Sequence, residues 1–477
     1  MNQGVNRRRF LAASLGAGAA LAGSHCFSTP ARARESVPPV PIPDEPVTKE
    51  DWQALRAMAK ETFDANVVTV AGGTFHMPSR DLYISLFAWD SGWHAIGMSR
   101  LDPRLAASEL ELLLNQQCAD GRVPHETLFK EIKIRPSFKR AITEAAVYRQ
   151  YDAQGRSAFI DPPSFIPAAE KVFALTGDRA WLEKILPRLE SAVRYLTRDR
   201  DLFGDGLCSI IHPWESGTDS SPAYDQALHI NFNNSLGAIK RALLYPRLLD
   251  RCAALDWDVP RIAQENKFIF EDLTVNCITI RAVVSLGRLC QTLGDEFKAK
   301  AYLAQAKQMT AAIDRLNWDE AAGCYFSRWD LKAPKLARRT TCASLLPLYT
   351  GLISKDRADR LVKEHLLNPK QFWLPYVLCF NAKDELDQEK IAMENLMLWR
   401  GYCIWTNMNW MMTEGLLSYG YREEARELTR RSAKMIRNQG FREFYDCRTG
   451  QAGGATRFNW PAVVLDMIAA AWPEAVA

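Results

Sequence analysis

The chain has 477 residues, 47% hydrophobic and 24% charged, which excludes a disordered or low-complexity polymer and supplies enough apolar surface for a large core. Its formal charge of +4 and pI near 8.4 are only mildly basic, partly through arginines close to the N-terminus, and do not point to nucleic acid.

Residues 1–33 read as an export signal. Arg7-Arg8-Arg9-Phe10-Leu11 is a twin-arginine signature, and the small-residue apolar stretch behind it is too short and too glycine-rich to span a bilayer. Ala31-Arg32-Ala33 fits a small-x-small cleavage pattern. The mature protein is therefore expected to start near Arg34, to be periplasmic or secreted, and to keep no membrane attachment after cleavage. Cys26 follows Gly23-Ser24-His25, a poor lipoprotein box. Ten cysteines lie beyond it, scattered and without a Cys-x-x-Cys pair, and they read as buried small hydrophobes rather than disulfide partners or zinc ligands.

A proline-rich leader, residues 34–47, predicts an extended strap outside the core. Thr48-Lys49-Glu50-Asp51 predicts a helix start, with Thr48 as N-cap and Trp52, Leu55 and Met58 following at helical spacing. From here to residue 477 one domain is expected. An apolar helix runs to a break and a charged helix restarts, in four copies: 170–176 with 179–197, 283–293 with 296–316, 345–352 with 355–365, and 411–419 with 422–438. Glycine at three of the breaks supplies a left-handed cap, and Asp or Ser behind the break caps the next helix. The first helix of each copy is apolar nearly all round and the second is amphipathic, which suits an inner and an outer ring. Repeated hairpins without a short strict period predict an all-α fold, a closed α/α barrel rather than an open solenoid.

Hairpin connections need only a few residues, so four longer stretches stand out as loops: 74–94, 118–164, 200–232 and 439–460. They carry Trp89, Asp90, Trp93, Trp214, Glu215, Asp219, Glu443, Tyr445 and Trp460, and the adjoining 399–410 segment adds Trp399, Trp405 and Trp410. Flat rings stack on sugar faces, and carboxylates and Arg hydrogen-bond hydroxyls, so these residue types predict a small carbohydrate as substrate. Glycoside hydrolysis by the usual route needs a protonated and an ionised carboxyl on opposite sides of the scissile bond. Asp219, in His212-Pro213-Trp214-Glu215-Ser216-Gly217-Thr218-Asp219-Ser220-Ser221-Pro222, and Glu443, in Gly440-Phe441-Arg442-Glu443-Phe444-Tyr445-Asp446, are the two candidates.

These motifs, with Phe87-Ala88-Trp89-Asp90-Ser91-Gly92-Trp93-His94, Asp120-Gly121-Arg122-Val123-Pro124-His125, Trp399-Arg400-Gly401 and Trp405-Thr406-Asn407-Met408-Asn409-Trp410, resemble successive motifs of glycoside hydrolase family 63. The likeness is closest to its bacterial mannosylglycerate and glucosylglycerate hydrolase branch and spans roughly residues 65 to 470. It implies an (α/α)6 barrel and an inverting, exo-acting α-glycosidase. It implies Asp219 as general acid, Glu443 as general base, and Trp89, Asp90, Asp161, Trp214, Gly217, Arg400 and Trp405 on or beside the sugar subsite. Asp219, its pKa raised beside Trp214, would protonate the leaving oxygen while Glu443 deprotonates the attacking water. That water must fit between carboxyls roughly 6.5 to 9.5 Å apart.

The chain departs from the family at three places. Asp161-Pro162-Pro163 stands where relatives commonly read Gln-Pro-Pro, so a neutral amide is expected to have become a charge. Cys447 stands where a Pro is usual, and Tyr402-Cys403 replaces a Pro-containing pair. Glu215 reads as structural, orienting its loop through backbone amides, and residues 130–140 read as a solvated mixed-charge loop with a second reading as a cation patch for an acidic aglycone. No His-Glu-x-x-His, Gly-x-Ser-x-Gly or phosphate-binding glycine loop occurs, so neither metal nor cofactor is expected. Two other functions stay open at this point: a carbohydrate-binding relative without turnover, and a sugar isomerase or lyase on a similar barrel.

Overall fold

The computed structural model describes residues 39, 42–132, 148–230, 236–388 and 398–477. The proposed signal, most of the leader and the basic stretch from Lys133 to Arg140 lie outside them. Where the leader is described it is a strap: Arg430 donates to the Pro43 carbonyl and pairs with Asp44 at 3.4 Å.

The chain then enters α1 (Lys49–Asn66) through the expected cap. The Asp51 N–H donates to the Thr48 hydroxyl at 3.2 Å, and the Thr48 N–H donates to the Asp51 carboxylate at 2.9 Å. Beyond a short hairpin, β1 (Val67–Val70) with β2 (Gly73–His76), come α2 (Ala88–Met98), α3 (Pro103–Leu114), α4 (Phe165–Thr176), α5 (Arg179–Arg194), α6 (Leu236–Ala254), α7 (Leu273–Thr292) and α8 (Glu296–Leu316). The last helices are α9 (Thr406–Ser418), α10 (Arg422–Gln439) and α11 (Val464–Ala471). The pairs α4–α5, α7–α8 and α9–α10 are the predicted hairpins. The remaining copy is shorter, with Pro347–Thr350 leading to Lys355–Arg360. Gly177 is a left-handed C-cap, and Asp178, Asp295 and Ser354 accept from Trp181, Lys298 and Arg357 N–H groups, as the repeat requires.

Burial separates the two kinds of helix. In α7, 17 of 20 residues are buried, against 6 of 21 in α8. Helix α7 is apolar and long enough to cross a membrane by those criteria alone, but 94% of its apolar window is buried inside the protein, so it is a core helix. Helices α2, α4 and α7, the Pro347–Thr350 turn, α9 and the Trp460–Ala471 segment each pack on the next, and the last packs back on α2.

Helix α2 corrects one expectation. Residues 88–94, read as part of a loop, are helical, and all eleven residues of α2 are buried. The run Trp-Asp-Ser-Gly-Trp-His carries little helix propensity, so packing decides here. A Cβ on Gly92 would lie 2.2 Å from the Ser164 hydroxyl, and one on Gly97 2.5 Å from the Ala462 Cβ, so both neighbours close on α2 only because these residues are glycine. Strands belong to the connections, as expected. The largest of these sheets runs β3 (Cys403–Ile404), β4 (Arg442–Asp446) and β5 (Ala452–Thr456) in that order, antiparallel throughout. The ten described cysteines are free and nine are buried, as read from their spacing.

Candidate functional site

The loop from His212 to Pro222 is fixed from beneath. Glu215 is fully buried and accepts from the Ile160 and Ile211 N–H groups at 3.1 and 2.7 Å while Arg200 forks onto both its oxygens. Its carboxylate is thus consumed by the scaffold, in agreement with its reading as structural. His212 is the second anchor. Its Nε2 donates to the Tyr245 carbonyl at 3.1 Å, and its Nδ1 accepts from the Trp214 N–H at 3.2 Å. That pattern needs a neutral ring, and burial pushes its pKa down to about 3. The Trp214 ring packs beside His212 and edge-on to Phe159.

Asp219 is held at the far end of this loop by its own and its neighbour's backbone. Its carbonyl accepts from the Tyr245 hydroxyl, the Ser220 carbonyl accepts from Arg400 Nε at 2.7 Å, and the Ser220 hydroxyl accepts from the Trp399 N–H at 3.0 Å. The residue itself is half-buried. Desolvation lifts its pKa from 3.8 to about 6, opposed by the Arg241 and Arg400 cations and reinforced by the charge of Glu443. Arg400 is wholly buried and forks onto Asp225 at 2.9 and 3.2 Å. It clamps the loop beneath Asp219.

Glu443 lies on β4 at a register shift between Arg442 and Phe444. Such a bulge re-aims a side chain out of the pleat. The carboxylate is buried, accepting from the Tyr83 hydroxyl at 2.7 Å and from the Ala455 N–H at 2.8 Å. Asp90 is close enough for the Glu443 charge to raise its pKa further above the ordinary range, although burial is the main cause; its Oδ1 accepts from the Trp460 indole at 2.8 Å.

Aromatic side chains cluster beside these carboxyls. Trp399 stacks on Trp405 with centroids 3.7 Å apart, and Trp460 meets Trp89, Trp399 and Trp405 at 5.8 to 5.9 Å. Trp405 is only 2% exposed and gives one ring face to Trp399, so most of its area is core. The Gly217 backbone rests on the Trp89 indole: a Cβ there would fall 2.8 to 3.0 Å from three ring carbons. Gly217 also has φ +69°, so Gly217→Ala adds backbone strain to the clash. We expect a loss of about 1–3 kcal/mol of stability in denaturant titration. A variant as stable as the parent would contradict that contact.

Asp161 is buried against the start of α2. One oxygen accepts from the Trp89 N–H at 3.0 Å, serving a donor in the first turn of α2 that the N-cap residue Phe87 leaves uncapped. Burial, with Asp90 and Glu215 nearby, raises its pKa well above the ordinary value of 3.8.

The mannosylglycerate hydrolase MGH1-like glycoside hydrolase domain matches residues 83–461, most of the chain and both carboxylate loops. The chain belongs to this family. It is 30% identical over 416 residues to a mannosylglycerate hydrolase of Thermus thermophilus, covering 82% of this chain and 96% of that one. To the mannosylglycerate hydrolase of Rubrobacter radiotolerans it is 28% identical over 450 residues, covering 88% and 98%. Among solved structures it is similar to the family 63 mannosylglycerate hydrolase from another Thermus thermophilus strain, in complex with Tris and D-glycerate. The TM-score is 0.72 and the identity 27%, over 87% of this chain and 99% of that one. The resemblance to family 63 is thereby borne out, and the protein is a glycoside hydrolase rather than an isomerase or lyase.

The site also contains residues that sequence reasoning passed over. Tyr83 sits in the 74–94 stretch and reaches Glu443; Tyr245 and Arg241 lie on α6, where helical spacing disguises them as surface and core. Arg241 carries a buried guanidinium nitrogen, Nη1, with no hydrogen-bond partner among the described residues. Burial and the nearby Arg400 cation pull its pKa down to about 10.

Proposed function

We propose that this enzyme is an exo-acting, inverting α-glycosidase that hydrolyses a glycosylglycerate, with mannose or glucose as the sugar. We propose further that its domain, residues 48–477, is an (α/α)6 barrel and that it works in the periplasm or outside the cell after twin-arginine export. The ring of contacts from α2 round to Trp460–Ala471 supports the barrel. The twin-arginine motif in residues 7–11 supports the route.

One observation carries the chemistry. Asp219, its pKa lifted to about 6 by desolvation, ends a clamped loop, while Glu443 is presented on a bulged strand by hydrogen bonds from a hydroxyl and an amide, and the Glu443 charge reaches Asp219. Asp219 would protonate the glycosidic oxygen as the bond to the anomeric carbon breaks. Glu443 would take a proton from a water attacking the opposite face. The Tyr83 hydroxyl orients that carboxylate, and the tryptophan cluster keeps bulk water away from the reacting centre.

The glycerate part of the proposal rests on Arg241. A buried guanidinium nitrogen without a partner is costly, and a substrate carboxylate would satisfy it. Below about pH 6, where Asp219 is protonated with or without Arg241, Arg241→Met is expected to raise KM for the glycosylglycerate by about 10- to 100-fold and to leave KM for a neutral methyl glycoside unchanged. Equal losses on both substrates would count against this role.

The deciding experiment incubates the mature protein with mannosylglycerate, glucosylglycerate and neutral α-glycosides under 1H NMR. The first-formed sugar should be the β anomer, derived from a glycosylglycerate. Release of the α anomer first, or hydrolysis of the neutral glycosides alone, would overturn the respective half of the proposal.

A further inference from the structure

Two buried thiols meet behind the strand that carries Glu443. The Sγ atoms of Cys379 and Cys447 lie 2.6 Å apart, 68 residues apart in sequence, and both residues are wholly buried. Each is held in place by its own surroundings. Next to Cys379, the Leu378 N–H donates to Asn409 Oδ1 at 3.0 Å, Asn409 Nδ2 donates to the Val377 carbonyl at 2.8 Å, and the Cys342 N–H donates to the Phe380 carbonyl at 2.7 Å. Cys447 follows directly on β4, where its N–H donates to the Tyr402 carbonyl at 2.8 Å. The two backbones are therefore positioned independently, and the sulfurs face each other between them. Among the described residues no group of three or more His, Cys, Asp or Glu is placed to hold a metal ion, so a shared cation does not account for the pair.

We propose that Cys379 and Cys447 are a redox site, joining as an intramolecular disulfide in an oxidising environment. The bond would tie the end of β4 to residues 377–380 and so brace the strand that presents Glu443. It forms by exchange with an external disulfide such as oxidised glutathione. One cysteine thiolate attacks a glutathione sulfur, giving a mixed disulfide and releasing one glutathione. The second thiolate then attacks the protein sulfur of that mixed disulfide and expels the other glutathione. Two protein thiols are oxidised and one glutathione disulfide is reduced to two thiols, which take up the two protons. Burial pushes the Cys447 thiol well up, so exchange proceeds while the chain folds or when the turn after β4 opens.

The test needs no substrate and does not depend on the glycosidase reading. The full chain is equilibrated in glutathione buffers from reducing to oxidising, its free thiols are alkylated under denaturing conditions, and an unreduced digest is mapped by mass spectrometry. At the oxidising end we expect a linked Cys379–Cys447 peptide, two fewer alkylated thiols and a higher melting midpoint than in the reduced protein. Cys447→Ser and Cys379→Ser should each abolish the linked peptide and the redox-dependent rise in midpoint. Complete alkylation at the oxidising end, or a peptide joining either residue to Cys403 or Cys342 instead, overturns the proposal; the map of the unaltered chain decides this even where a variant folds poorly.

Discussion

Replacing Glu443 by Gln should lower kcat at least about a thousand-fold on every substrate, whatever its leaving group, because it removes the carboxylate proposed to take the proton of the attacking water. Asp219→Asn should behave differently. An acid is needed only when the leaving oxygen must be protonated, so the loss should be of similar size on a glycosylglycerate and far smaller on a glycosyl fluoride. The pH profile separates them again. With Asp219 titrating at about 6, kcat/KM of the unaltered enzyme should fall as pH rises through that value, and Asp219→Asn should lose this alkaline limb. Stability runs the same way. A folded pKa raised above 3.8 means that ionising Asp219 within the fold costs up to about 3 kcal/mol once the pH exceeds 6. Asp219→Asn should therefore melt higher than the parent at pH 8 and not at pH 4. Equal losses on the fluoride for both variants, or an unchanged alkaline limb in Asp219→Asn, would reverse or remove the assignment of roles.

The sequence made some of this legible and hid the rest for physical reasons. The hairpins were readable because a glycine break with a capping Asp or Ser behind it is local chemistry, and Gly177-Asp178 behaves in the fold as it reads in the chain. Glu215 was readable as structural because a carboxylate two residues before a glycine turn commonly serves backbone amides. What stayed hidden depends on partners distant in sequence. Helix α2 looked like a loop, since its helicity is imposed by burial of all its residues. Asp161 gave no sign of its burial, since only the folded surroundings raise its pKa. Arg241 and Tyr245 stand one turn apart on α6, a spacing that signals a helix face and nothing more, and only the folded chain brings them to Asp219.

Arg400→Met should destabilise the fold by about 3–5 kcal/mol, because it strands Asp225 as a buried carboxylate without its bidentate partner. The size of the loss depends on pH. Burial already raises the Asp225 pKa, and Arg400 opposes it; without Arg400 the pKa rises further. A raised carboxyl pKa gives stability that is present at low pH and is lost as the pH climbs through it, so the variant should sit nearest the parent at about pH 4 and farthest at pH 8. Replacing both partners, Arg400→Met with Asp225→Leu, should recover much of the stability, since no buried charge is then left alone. The double variant also separates support from chemistry. Arg400 lowers the Asp219 pKa through its charge, so its removal should move the alkaline limb of kcat/KM to higher pH even where the fold is restored. A double variant that is stable and keeps the parent's alkaline limb would show that Arg400 only clamps the loop; one that is stable, with the limb displaced upward, would make it the cation that sets how readily Asp219 gives up its proton.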